Sequence, residues 1–210
     1  MSVHDLIIQR PPTPRQLVLL FHGVGSSARD LMPLGEALAR HLPGAAIVSL
    51  QAPEPVGPGW QWFSVQGVTE TNRPARVAAA MPGYLQAIAR WQAACGVASE
   101  HTTLIGFSQG AIMALESTQL ERPPAAAVVA LSGRFAQPPR CAHASLRTHL
   151  MHGDADAVMP VQLAVDALAQ LQALGAAATL DRFAGLGHGI DRRVVDAIVR
   201  RLGGALPAPP

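Results

Sequence analysis

The pentapeptide Gly106-Phe107-Ser108-Gln109-Gly110 carries the sharpest chemical signal in this chain. It follows a branched apolar run at 102–105 and opens a stretch of helical period, so Ser108 falls on a strand-to-helix turn. In such a turn small flanking residues let the backbone bend tightly and lift the hydroxyl above the strand ends. The plainer alternative is a glycine-rich turn in which Ser108 only caps a helix. A serine hydroxyl attacks only when a neighbouring base takes its proton, so the pattern calls for a histidine and for an acid that orients it.

Those partners are expected after the serine in the order acid, then histidine. Downstream histidines are His143, His149, His152 and His188. Only His188 sits in a glycine-rich loop, Gly187-His188-Gly189, between the last strand and the last helix, although a surface turn would also explain it. His149 and His152 fall in or at the end of a strand and read as core or supporting groups, and His143 precedes that strand. The acid lies in His152-Gly153-Asp154-Ala155-Asp156. Asp156 is preferred because two further residues let the loop turn back over the sheet, whereas Asp154 is placed to brace the turn. A developing oxyanion also needs two fixed N–H donors. Gln109, next after the serine, supplies one, and Val24 in Phe21-His22-Gly23-Val24-Gly25 supplies the other. That second loop lacks the lysine of a P-loop and the third glycine of a dinucleotide fingerprint.

The elements that must hold these groups alternate along the chain. Strands are expected at 5–9, 17–21, 46–50, 102–105, 126–131, 147–151 and 178–183, and helices at 28–41, 73–94, 110–120, 161–174 and 190–202. That rhythm predicts an α/β fold with a mostly parallel, doubly covered sheet. Residues 1–210 read as one domain, with 206–210 as a frayed tail. Segments 51–72 and 133–144 break the rhythm and read as surface loops, the first long enough for a binding loop. Within it Trp60, Trp62 and Phe63 are expected to wall a substrate groove, with core packing as the alternative.

Together these residues resemble the phospholipase/carboxylesterase family of small α/β hydrolases, which includes acyl-protein thioesterases and bacterial carboxylesterases. The matching blocks are Leu20-Phe21-His22-Gly23-Val24-Gly25, Trp62-Phe63-Ser64, the serine pentapeptide, His152 to Asp156 with Val158 and Pro160, and Gly187-His188. The bacterial esterase branch shares the runs Gln61 to Gly67 and Ala111 to Ser117. The resemblance implies the α/β-hydrolase fold, a Ser108, Asp156, His188 triad, and an oxyanion hole from the Val24 and Gln109 N–H groups. It also implies hydrolysis of carboxylic esters through an acyl-enzyme, without metal or cofactor. Where the thioesterases usually carry an acid after Trp-Phe, Ser64 stands here, which weakens transfer of their substrate.

Composition narrows the partners. The formal charge is only +2 and the sixteen basic residues, all arginine, cluster only in the pairs Arg192-Arg193 and Arg200-Arg201, so no nucleic-acid partner is expected. The apolar run at 125–131 is seven residues, far short of the ~20 that span a bilayer. No signal-peptide pattern opens the chain. Cys95 and Cys141 read as free thiols. These features predict a cytoplasmic protein, without membrane attachment, working as a monomer or homodimer on a small-molecule ester of short to medium chain. Twelve residues between Gly133 and Ala144 are too few for a lid domain. Acyl thioesterase or lysophospholipase activity stays open beside ester hydrolysis. So does a non-catalytic ligand-binding hydrolase scaffold, as does metal-assisted hydrolysis by His22, His152, Asp154 and His188.

Overall fold

The computed structural model describes residues 5–203; the tail expected to fray at 206–210 lies outside them. Strand β2, Gln16–Phe21, shows why the sheet forms. Leu17, Leu19 and Phe21 enter one apolar cluster while Val18 and Leu20 enter another on the opposite face. A strand apolar on both sides must be covered on both sides, which is the condition of a parallel sheet flanked by helices.

Seven strands make that sheet, in the order β1 (Leu6–Gln9), β3 (Ala45–Leu50), β2, β6 (Thr102–Phe107), β7 (Ala127–Leu131), β8 (Arg147–Gly153), β9 (Ala177–Phe183). Only β1 runs antiparallel, against β3. All other pairs are parallel, so the turns that leave β2, β6, β8 and β9 emerge at one edge. Helices α2 (Arg73–Cys95), α3 (Gln109–Ser117) and α4 (Gln162–Ala173) pack with the first cluster, and α1 (Met32–Ala39) and α5 (Arg192–Gly203) with the second. This is the expected mostly parallel, doubly covered sheet.

Two details differ from the sequence expectation. The helix expected at 28–41 is a short 3-10 turn, Ala28–Leu31, followed by α1; Asp30 closes a capping box with Ser27 and Pro33 fits the first turn of α1. Segment 51–72 also contains a small hairpin, β4 (Glu54–Val56) and β5 (Gly59–Gln61). Its turn at Gly57 has φ +53°, and a Cβ at Gly59 would lie 2.1 Å from the Gly25 carbonyl oxygen. Proline and glycine, read as loop signals, here build a tight hairpin lying directly against another backbone.

Candidate active site

Ser108 sits between β6 and α3 with φ +52° and ψ −112°, a strained backbone for a residue with a side chain. Its N–H is anchored on Leu131 O at 2.9 Å, and its carbonyl accepts from Ala111 and Ile112. The flanking glycines are required by contact. A Cβ at Gly106 would stand 2.4 Å from the Gly110 carbonyl, and one at Gly110 would stand 2.2 Å from Phe21 O. The bend thus presses α3 onto the end of β2, where the second loop begins.

His188 and Asp156 reach the serine from loops after β9 and β8. His188 Nε2 lies 3.0 Å from Ser108 Oγ, and His188 Nδ1 lies 2.8 Å from Asp156 Oδ2. A carboxylate only accepts, so Nδ1–H donates to Asp156 and Nε2 is left to accept the serine proton. Asp156 Oδ1 accepts from the Val158 and Met159 amides at 2.9 and 2.8 Å. Burial pushes this carboxyl up, but the Met159 amide, His188 and the Val158 amide outweigh it and hold the group below the usual carboxylate range. His152, fully buried, places Nε2 2.6 Å from Met159 O and 3.3 Å from Asp156 Oδ2, and so braces the same loop. Phe107 packs against the His188 ring at 5.0 Å between centroids.

Val24 and Gln109 meet at the same cleft. Among the described residues neither backbone N–H has a protein acceptor. The Val24 loop is held from two sides. His22 donates from Nδ1 to Gly23 O at 2.7 Å and accepts the Ala52 N–H on Nε2 at 3.1 Å, which fixes its tautomer. Gly25 N–H donates to Trp60 O, and Trp60 N–H donates to Ser26 O, both at 2.9 Å.

The aromatic residues separate. Phe63 lines the cleft of about 410 Å³ in front of Ser108, with Val65, Val68, Ile112 and Leu163. Trp60 and Trp62 do not line it. Trp62 is 4% exposed, stacks edge-on with Phe21 and Tyr84, and donates its indole N–H to His22 O at 2.8 Å. Trp60 acts through its backbone, as above, and its ring packs on the core. Burial of a large ring beneath the site outweighs exposing it as a wall.

Sequence reasoning passed over the Gln109 side chain. Its Oε1 accepts the Trp62 N–H and its Nε2 donates to Phe63 O, both at 2.7 Å, with the residue 3% exposed. Three charged side chains in the cleft, Glu70, Arg73 and Arg134, were also unmarked by any spacing. Asp154 is turned away and pairs with Arg182 at 2.7 Å. The four residues of the metal alternative do not form a ligand set: among the described residues no three His, Cys, Asp or Glu side chains are grouped to hold an ion. Cys95 and Cys141 are free.

A family profile described as Phospholipase/Carboxylesterase matches residues 4–203. The esterase YpfH of Escherichia coli strain K12 is 43% identical over 208 residues, 97% of this chain and 90% of that protein. The crystal structure of esterase PE8 superposes with a TM-score of 0.85 at 32% identity, covering 98% of this chain and 99% of that one. A Bacillus cereus carboxylesterase shares the fold at TM-score 0.83 and 15% identity, covering 97% and 95%.

Proposed function

The chain belongs to the phospholipase/carboxylesterase family, and from that premise we propose that it is a serine carboxylesterase cleaving short- to medium-chain esters through an acyl-enzyme. The observation that carries the reading is the unbroken relay of hydrogen bonds from Ser108 through His188 to Asp156, at 3.0 and 2.8 Å. Ser108 Oγ attacks the ester carbonyl carbon while its proton passes to His188 Nε2. The imidazolium that results is stabilised by Asp156, and the oxyanion takes the Val24 and Gln109 N–H groups, each such donor being worth about 3 kcal/mol of barrier. Collapse expels the alcohol, which takes the proton from His188. Water, deprotonated by the same nitrogen, then attacks the acyl carbon; the second collapse breaks the bond to Ser108 Oγ, frees the acid and returns the proton from His188 to the serine.

The apolar wall of Phe63, Val65 and Val68 is suited to an acyl chain. The free thiols suit the cytoplasm, and no described helix is long and apolar enough to cross a membrane. The test is Ser108→Ala, which is expected to abolish both turnover of p-nitrophenyl butyrate and labelling by a fluorophosphonate. Undiminished turnover in that variant sinks the serine mechanism.

A further inference from the structure

The cleft in front of Ser108 carries an unbalanced charge. Arg134 grips Glu70 with two nitrogens, Nη1 to Oε1 at 3.0 Å and Nη2 to Oε2 at 2.6 Å, while Arg73 Nη1 stands 2.7 Å from the same Oε2. Two cations therefore share one carboxylate. The arginine side chains are only 14% and 21% exposed, whereas Glu70 is 67% exposed. Buried Arg73 Nη1, for all its nearness to Glu70, makes no well-directed hydrogen bond among the described residues. A guanidinium withdrawn from water and only half neutralised is costly unless a further anion meets it.

Among the described residues no other carboxylate lines the cleft. Asp156 is buried and occupied by His188 and two backbone amides. Asp166 lies in the adjoining hollow that Arg134 also borders and is bonded to Gln162. The rest of the cleft wall near Ser108 is mainly apolar. A ligand with a carbon chain and an anionic end matches both features, and arginine pairs with oxyanions through two parallel hydrogen bonds.

Resting on the esterase reading above, we propose that this cleft selects esters bearing a second, anionic group, a carboxylate or phosphate, that docks on Arg73 and Arg134. Glu70 holds the two guanidiniums in place and tempers their charge. The competing role for the same residues is mechanical: Glu70 belongs to the long loop, Arg134 to the loop after β7 and Arg73 to α2, so the trio also clasps these segments together.

Matched ester pairs separate the two roles. On the acyl side, p-nitrophenyl hydrogen adipate is compared with p-nitrophenyl methyl adipate; on the alcohol side, 4-acetoxybenzoate is compared with its methyl ester. In wild type the anionic member of at least one pair has the higher kcat/KM, through a lower KM, and loses that advantage as salt rises. The anionic-to-neutral ratio falls about tenfold in Arg134→Gln and in Arg73→Gln, the scale of a lost charged hydrogen bond, and rises in Glu70→Gln. Because the neutral ester is read in every variant, general damage to folding or to the triad cancels from the ratio. A ratio at or below one in both pairs, or one that the three variants leave unmoved, overturns the proposal and leaves only the clasp. Wild type inert on the neutral esters and on the anionic ones would instead overturn the esterase reading.

Discussion

Asp156 accepts from three donors, and each of them prefers it ionised. Asp156→Asn keeps the shape but offers His188 an amide in place of a full charge, so kcat should fall by roughly 10⁴ while folding survives. Asp154→Asn removes only an exposed pair with Arg182 and should cost at most about 1 kcal/mol of stability. Kinetics of both variants, with circular dichroism to confirm folding, check the ranking; a larger kcat loss in Asp154→Asn would move the acid. The sequence narrowed the acid to two aspartates two residues apart, because the loop after a strand was legible. It could not show that Arg182, far along the chain, claims one of them. Histidines set a separate pH window. Burial lowers His22 despite the Gly23 carbonyl and Asp30, and burial followed by Arg201 and Arg147 lowers His149. The unfolded chain therefore binds more protons than the native one just below the ordinary histidine value of about 6.5, and stability must fall as pH drops through it. Urea midpoints between pH 7.5 and 5 should decrease, with a shallower slope in His149→Gln; a flat wild-type profile would refute this.

At the scale of elements, the hairpin and the serine turn are fastened through Gln109, which meets consecutive backbone groups of Trp62 and Phe63 with both ends of its amide. Gln109→Ala keeps the backbone N–H assigned to the oxyanion but strands a buried N–H and a buried C=O, each worth about 1–3 kcal/mol. The variant should lose that order of stability by urea denaturation, and kcat/KM should fall more for a hexanoate than for an acetate ester as Phe63 loosens. Equal losses for both esters would mean that the amide does not position Phe63. Trp62→Ala, by contrast, empties a core site and should cost about 3–5 kcal/mol. The strands and helices were legible because a sheet buried on both faces forces continuous apolar runs. The hairpin was not, since its three-residue strands are too short for a period and its glycines serve close approach. Gln109 and Trp62 were separated by 47 positions, and no local pattern announces a contact of that span.

For the molecule as a whole, the cleft lies at the edge where the parallel strands end, and the segment from 133 to 144, which leaves β7 at that edge, contains no helix or strand. Val24 and Val158 at the cleft are 39% and 70% exposed, so its apolar rim already faces solvent. A chain entering this space gains burial only while it runs along Phe63, Val65 and Val68. Each methylene buried there contributes about 0.8 kcal/mol, close to fourfold in kcat/KM, and each one beyond the rim contributes little. The profile of p-nitrophenyl esters should accordingly rise steeply over the first few carbons and then flatten. Phe63→Ala should lower the plateau while sparing the acetate ester, because acetate does not reach the ring. With the site already open, no surface-triggered rearrangement is needed, and rates should cross the solubility limit of the substrate without a jump. The measurement is initial rate against ester concentration through that limit, alongside a triglyceride emulsion. A sharp rise at the limit would show interfacial activation and overturn the open-cleft account; an unchanged length profile in Phe63→Ala would remove the ring from the acyl wall.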